Sequence, residues 1–232
     1  MHNARLFPRH TAHESRGGFT LVELLVVIGI IAILAGVALG PITRGIKQAQ
    51  ESGSMQTCRQ VGLMEFAYSN DNSQVYPFGA ASAGGSETVE NALLNGNYAT
   101  DPNVFYIKST PNSATPVAAA SGVFTEPNGA CSYDFLTTSG TSGLTSTAAD
   151  GTPLCELTGG TYSMTSPGPL NATINPANSA FGSDGIAVTY KSNNAVFLKC
   201  AATSATVATS VQPILSASYT DSNATNYKFT LP

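Results

Sequence analysis

Residues 17–23 read Gly-Gly-Phe-Thr-Leu-Val-Glu, and they open an almost unbroken apolar run that extends from Phe19 to Leu39. This run of 21 residues is long enough for a helix that crosses a bilayer. It contains one carboxylate, that of Glu23, close to its start. A charged side chain inside a membrane span costs about 2.5–3.5 kcal/mol on insertion scales, so it needs a partner. The stretch therefore predicts a membrane-spanning helix whose single acid has a specific role.

The residues around the run bear on how the chain is processed. Residues 1–18 contain three arginines and no apolar run, which favours the cytoplasmic side for this segment. A secretory signal peptide has a shorter apolar core of about 7–15 residues, although Ala38-Leu39-Gly40 could serve as an ordinary signal-peptidase site. An uncleaved signal anchor is the other alternative. Neither accounts for a glutamate that directly follows Gly-Phe-Thr-Leu-Val.

Residues 17–39 resemble the type IV prepilin signal, which type IV pilins share with the pseudopilins of type II secretion. The resemblance implies that a prepilin peptidase cuts the Gly18–Phe19 bond and then methylates the new amine of Phe19. A side chain at Gly18 would crowd the backbone as the bond is presented. The resemblance also implies that Glu23 pairs with the Phe19 ammonium of an adjacent subunit and so sets the register of assembly.

The chain is expected to form an α+β fold with a long N-terminal helix. Apolar residues recur every three or four positions, or multiples of these, beyond Pro41, which is expected to kink or loosen the helix. The second half of this helix is expected to pack on a small antiparallel sheet, while the first half spans the membrane. We predict four segments: a leader at 1–18, a transmembrane and assembly helix at 19–40, an amphipathic extension at 41–72, and a globular β-rich head at 73–232.

Within the head, short apolar runs predict the strands. These runs are residues 104–107, 131–136, 186–190, 195–199 and 227–231. Residues 186–199 read as a β-hairpin whose turn is Lys191-Ser192-Asn193-Asn194. The intervening segments at 79–90, 109–129 and 137–183 are rich in Gly, Pro, Ser and Thr, so we expect long surface loops there.

Composition argues against catalysis and against nucleic-acid binding. All three histidines precede Gly18, so a chain that starts at Phe19 has none. Histidine-dependent catalysis is then impossible and most transition-metal sites are excluded. The same chain would keep seven basic and 13 acidic residues, and its basic residues form no broad patch. We therefore expect neither an enzyme nor a partner among nucleic acids.

The four cysteines are Cys58, Cys131, Cys155 and Cys200, and an oxidising periplasm or exterior would allow them to form two disulfides. Sequence alone does not separate the three possible connectivities. We prefer Cys131–Cys155 together with Cys58–Cys200, and free buried thiols are the alternative.

Calcium is the one cofactor considered. Some pseudopilins bind it through C-terminal loops, and the corresponding candidates here are Asp184, Asp221 and Asn223. Surface Asp and Asn residues more often form turns. Apart from this possibility, no cofactor is expected.

The function that follows is that of a filament subunit. It would be inserted in the inner membrane with a cytoplasmic leader and a periplasmic head, and then join a pseudopilus or a surface pilus. Its partners would be copies of itself or related pilins, the prepilin peptidase, the membrane and an inner-membrane assembly platform. A monomeric membrane-anchored binding protein is the main alternative, and a secreted enzyme released near Gly40 is a third.

Overall fold

The computed structural model describes residues 18–79, 84–108, 114–138, 142–157, 160–164, 170–174, 181–182, 184–199 and 227–229. Within these residues the chain forms two α-helices, α1 (Leu21–Asp71) and α2 (Gly85–Asn95), and a 3-10 helix at Pro102–Phe105. The strands are β1 (Tyr133–Thr138), β2 (Ser142–Gly143), β3 (Pro153–Leu157), β4 (Gly160–Met164), β5 (Leu170–Ile174), β6 (Gly185–Tyr190), β7 (Ala195–Lys199) and β8 (Tyr227–Phe229). The predicted α+β class with a long N-terminal helix is confirmed.

Helix α1 buries only one face of its second half. The buried residues are Ser54, Cys58, Val61, Gly62, Glu65 and Ser69. They recur mostly at spacings of three and four, which places them on one side of the helix. Residues 18–50 are exposed throughout. Contacts within the chain divide it into one unit that ends at Lys47 and a second that begins at Gln48.

Pro41 does not interrupt α1. The helix is continuous from Leu21 to Asp71 with the proline inside it. Next to the proline, the Thr43 hydroxyl donates to the carbonyls of Leu39 and Gly40, at 3.1 and 2.9 Å. This is ordinary back-bonding of a helical threonine, because the carbonyl that loses its amide donor to Pro41 is that of Val37. The helix is therefore continuous through this proline, and the expected kink or loosening stays a prediction.

The sheet is antiparallel and its strands lie in the order β2-β1-β3-β6-β7, with β8 also paired to β1. The predicted hairpin at 186–199 is confirmed as β6 and β7, where Ile186 pairs with Leu198 and Thr189 with Ala195. Its turn places Asn193 at a φ of 59°, a left-handed conformation that asparagine tolerates. Strands β4 and β5 form a separate two-stranded sheet.

The core lies between the two helices and one face of the sheet. It consists of Cys58, Val61, Val89, Leu93, Leu94, Ala99, Phe105, Cys131, Tyr133, Phe135, Cys155, Leu157 and Ala187. Cross-strand register aligns Tyr133 with Leu157, and Phe135 with Cys155. A β-carbon on Gly62 would lie 2.5 Å from Thr189 Cγ2. Glycine at this position therefore lets α1 approach β6 closely.

Several predictions about the head were wrong. Helix α2 begins halfway through the expected loop at 79–90, because Val89, Leu93 and Leu94 give it a buried apolar face. The expected loop at 137–183 contains β3, β4 and β5. The expected strand at 104–107 overlaps the 3-10 helix, since the Asp101 side chain accepts a hydrogen bond from Asn103 N at 2.9 Å and caps a turn that Pro102 begins.

Candidate assembly site on the N-terminal helix

The first turn of α1 is closed by a reciprocal pair of side chains, Thr20 and Glu23. The Thr20 hydroxyl accepts a hydrogen bond from the Glu23 amide at 3.3 Å. In return, Glu23 Oε2 accepts from the Thr20 amide at 2.8 Å and from the Thr20 hydroxyl at 2.7 Å. This is a capping box, in which two otherwise unpaired helix donors are satisfied at once. Glu23 therefore has a local structural role that the sequence analysis did not include.

The cap begins a helix with an exposed apolar surface. Phe19 is 77% exposed and Val37 is 73% exposed. Part of α1 is long and apolar enough to cross a membrane by length and composition, and none of that part is buried. Apolar side chains left in water over this length are unfavourable. This surface is consistent with membrane anchoring.

Gly18 precedes the cap and has open space around it. A β-carbon built at this position meets no atom within 4 Å, so packing within the described residues does not require a glycine here. The predicted cleavage at Gly18–Phe19 concerns an interaction with another protein and stays a prediction. The predicted leader lies outside the described residues, except for Gly18.

The cysteines lie differently from the predicted pairs. Among the described residues, Cys58, Cys131 and Cys155 are all buried free thiols. Cys155 Sγ is 3.6 Å from Cys58 Sγ, whereas Cys131 Sγ donates to the Tyr133 carbonyl at 3.4 Å. The predicted Cys131–Cys155 disulfide is thus not confirmed, because Cys155 faces α1. The Cys58–Cys200 prediction involves a residue outside the described ones.

Of the three calcium candidates, only Asp184 lies within the described residues. Asp184 is half-buried at the turn before β6, where its amide donates to the Phe181 carbonyl at 3.1 Å. Asp221 and Asn223 lie outside the described residues. Within the part of the chain that the structure describes, no group of three His, Cys, Asp or Glu residues could hold a metal ion. Calcium binding stays untested.

A buried acidic cluster was missed by the sequence analysis. It comprises Glu87 and Glu90 of α2 and Glu126 of a following loop, each at most 4% exposed. Glu87 Oε1 accepts from the amides of Gly129 and Cys131, at 2.7 and 3.2 Å. Glu126 Oε2 accepts from Val117 N at 2.9 Å. These two carboxylates anchor loops through backbone amides.

Glu90, the third acid, has no such support. Neither of its oxygens has a hydrogen-bond partner in the structure, as far as the described residues show. Burial, followed by repulsion from Glu126 and Glu87, raises the pKa of Glu90 from 4.5 to about 8. The side chain is therefore protonated at neutral pH, as expected for a carboxyl group deprived of water and of a cation.

Two further carboxyls are buried, one in α1 and one in β3. Burial raises the pKa of Glu65 in α1 and of Glu156 in β3 well above the ordinary value. Repulsion from Asp134, the cross-strand partner of Glu156, acts in the same direction. Burial and Glu156 raise the pKa of Tyr190 to about 12. The sequence identifies these acids but gives no sign of their burial, because that depends on which strands pair.

Comparison with known families identifies the N-terminal segment. Residues 15–39 match the family model described as the prokaryotic N-terminal methylation motif. This motif is the prepilin-type cleavage and methylation signal of type IV pilins and pseudopilins. It indicates a structural subunit and suggests assembly into pilus-like filaments with related pilins, rather than membership of an enzyme family. No curated protein and no solved structure matches the chain significantly.

Proposed function

We propose that this protein is made as a prepilin and becomes a subunit of a type IV pilus or of a type II secretion-type filament. A prepilin peptidase cuts between Gly18 and Phe19 and methylates the Phe19 amine. The mature subunit waits in the inner membrane with its head in the periplasm. An assembly platform in that membrane then adds it to the filament through α1.

The observation that carries this proposal is the methylation motif on an exposed apolar segment, residues 19–39, that contains a single acid. In lipid, the two hydrogen bonds from Thr20 stabilise one oxygen of Glu23 but leave its charge uncompensated. An ammonium at Phe19 of an adjacent subunit would neutralise that charge. Because the amine forms only on cleavage, processing and assembly become linked through this ion pair.

The cap and the ion pair are separable by mutation. Glutamine can replace glutamate in a capping box, because its side-chain oxygen also accepts the Thr20 bonds. Glu23→Gln therefore keeps the cap and removes the charge. Glu23→Ala removes both. Glu51→Gln neutralises another acid of α1 and is the matched control.

The test measures membrane insertion by carbonate extraction, cleavage by N-terminal mass, and incorporation by recovery of the subunit in sheared or periplasmic filaments. We expect Glu23→Gln to be inserted and cleaved but excluded from filaments, while Glu51→Gln is incorporated normally. Incorporation of Glu23→Gln at the parental level would show that the carboxylate serves only as a cap, and would refute the ion-pair mechanism.

Crosslinking in cells distinguishes polymerisation from a monomeric anchor. Ile31 lies in the middle of the apolar run and is 58% exposed, so a photo-crosslinking residue there samples neighbouring helices. A ladder of subunit adducts supports a filament. A monomer that remains uncrosslinked, at equal expression and insertion, supports the anchored binding protein instead.

A further inference from the structure

Two cysteines from distant parts of the chain meet where α1 packs on the sheet. Cys58 is in α1 and Cys155 is in β3, and neither residue has any exposed surface. Their sulfur atoms lie 3.6 Å apart. Each sulfur also contacts the backbone carbonyl of the other residue, and both of these distances are 3.5 Å. The two residues therefore face each other directly across the interface.

We propose that Cys58 and Cys155 form a disulfide in the mature protein, and that this bond fastens α1 to the head. The inference rests on the proposed function, because that function places the head in an oxidising compartment. A disulfide needs a sulfur separation of about 2.05 Å, so closing the pair requires a movement of roughly 1.5 Å. Small side-chain rotations can supply a movement of this size.

The chemistry is a two-electron thiol–disulfide exchange. Each thiol loses one proton, a single S–S bond forms between the two sulfurs, and the two electrons pass to an external disulfide. That external oxidant is a protein or glutathione disulfide, which is reduced to two thiols. Burial raises the pKa of the Cys155 thiol, which suppresses its thiolate. The bond therefore forms before α1 has fully packed on the sheet, and the folded interface then shields it from reductants.

This pairing competes directly with a Cys131–Cys155 bond. Cys131 Sγ is engaged with the Tyr133 carbonyl, and it lies close enough to Glu90 for that carboxyl to influence it. The sulfur facing Cys155 belongs to Cys58. The two residues are 97 positions apart, so the bond encloses α2 and β1 and constrains a large part of the unfolded chain.

A bond at this position has a mechanical consequence for a filament subunit. The proposed assembly holds the subunit by the first half of α1, whereas external force acts on the head. The backbone joins α1 to the rest of the head only at the end of the helix, after Asp71, so without the bond only noncovalent packing holds the sheet against the second half of α1. The Cys58–Cys155 bond would prevent the sheet from separating from that helix under load.

Peptide mapping tests the pairing without ambiguity. Trypsin with Asp-N places the four cysteines in four different peptides, which are residues 48–59, 109–133, 150–183 and 200–220. The full-length mature protein is extracted in a nonionic detergent with an alkylating agent and without reductant. We expect peptide 48–59 linked to peptide 150–183. Peptide 150–183 linked to 109–133, or 48–59 linked to 200–220, would overturn the proposal.

A second arm separates this proposal from the proposed function. The full chain is unfolded, refolded in detergent with a mixture of reduced and oxidised glutathione, and mapped in the same way. The 48–59 to 150–183 link is expected here irrespective of the compartment in which the protein resides. If the link does not form on refolding, the pairing is refuted. If it forms on refolding, but the protein from cells has free thiols and an intact leader, only the proposed function is refuted.

Single alanine variants supply the controls. Cys58→Ala is expected to release Cys155 as one additional alkylated thiol in denatured protein, and Cys155→Ala to release Cys58. Cys131→Ala should leave the 48–59 to 150–183 link unchanged. Reductant should lower the thermal midpoint of the parent but not of the Cys58→Ala, Cys155→Ala double variant. An equal decrease in the thermal midpoint of the parent and of the double variant would contradict the Cys58–Cys155 pairing.

Discussion

Raising the pH should destabilise the head, and Glu90 should be responsible for a measurable part of the effect. In the folded protein its pKa is about 8, whereas the ordinary value is 4.5. Between these values the folded state retains a proton that the unfolded chain has released. The stabilising contribution is therefore complete below pH 4.5 and is lost as the pH rises towards 8.

The size of the effect follows from linkage. One proton held by the folded state alone changes the free energy of unfolding by about 1.4 kcal/mol per pH unit. Between about pH 5.5 and about pH 7.5, Glu90 should thus lower that free energy by about 3 kcal/mol. Glu65 and Glu156 act in the same direction, because burial raises their pKa values too. In the parent, the free energy of unfolding should therefore fall more steeply with pH than titration of a single carboxyl group would cause.

Glu90→Gln removes one titrating group with little change in shape. The mature protein in nonionic detergent is unfolded with urea at several pH values, and near-ultraviolet circular dichroism follows its buried tyrosines, Tyr76 and Tyr133. We expect the slope of unfolding free energy against pH to decrease by about 1.4 kcal/mol per unit. Glu51→Gln, on the partly exposed side of α1, should retain the parental slope. Equal slopes for Glu90→Gln and the parent would refute the reasoning.

The remaining predictions concern α1. Gly62→Ala should destabilise the protein by about 1–3 kcal/mol, because its β-carbon would lie 2.5 Å from Thr189 Cγ2. Gly53→Ala is the matched control: it has open space, so it should stabilise by up to about 1 kcal/mol through helix propensity. Urea unfolding measures both, and stabilisation by Gly62→Ala as well as by Gly53→Ala would show that α1 does not approach β6 so closely. Thr20→Ala should weaken the start of α1 by about 1 kcal/mol through loss of the cap. Hydrogen exchange in micelles measures this, and unchanged exchange in the first turn would contradict the capping role.

The elements that the sequence predicted are those with an uninterrupted local pattern. Helix α1 has a long apolar run followed by an amphipathic stretch, and the β6–β7 hairpin has two apolar segments around a four-residue turn. Helix α2 was missed because glycine, serine and alanine surround a single apolar stripe of three residues. Strand β3 is buried along its whole length, so it lacks the alternation that identifies a half-buried strand.

The functional residues also fall into those that a local sequence pattern predicts and those that depend on tertiary packing. The motif around Glu23 was recognisable, since its residues are consecutive, and the Thr20 cap was also readable from the Thr-x-x-Glu spacing. The contact between Cys58 and Cys155 depends on the packing of α1 against β3, which sequence spacing does not encode. The same holds for the buried carboxyls of Glu65 and Glu156, whose neighbours come from other elements.

The intact mass of the membrane-extracted protein tests the central claim most directly. The account predicts a chain that begins at Phe19 and carries one additional methyl group on its N-terminal amine. Fragmentation would place that methyl group on Phe19. A chain that begins at Pro41 would show cleavage by an ordinary signal peptidase, and a chain that retains residues 1–18 would show an uncleaved anchor. Either result would contradict the prepilin account.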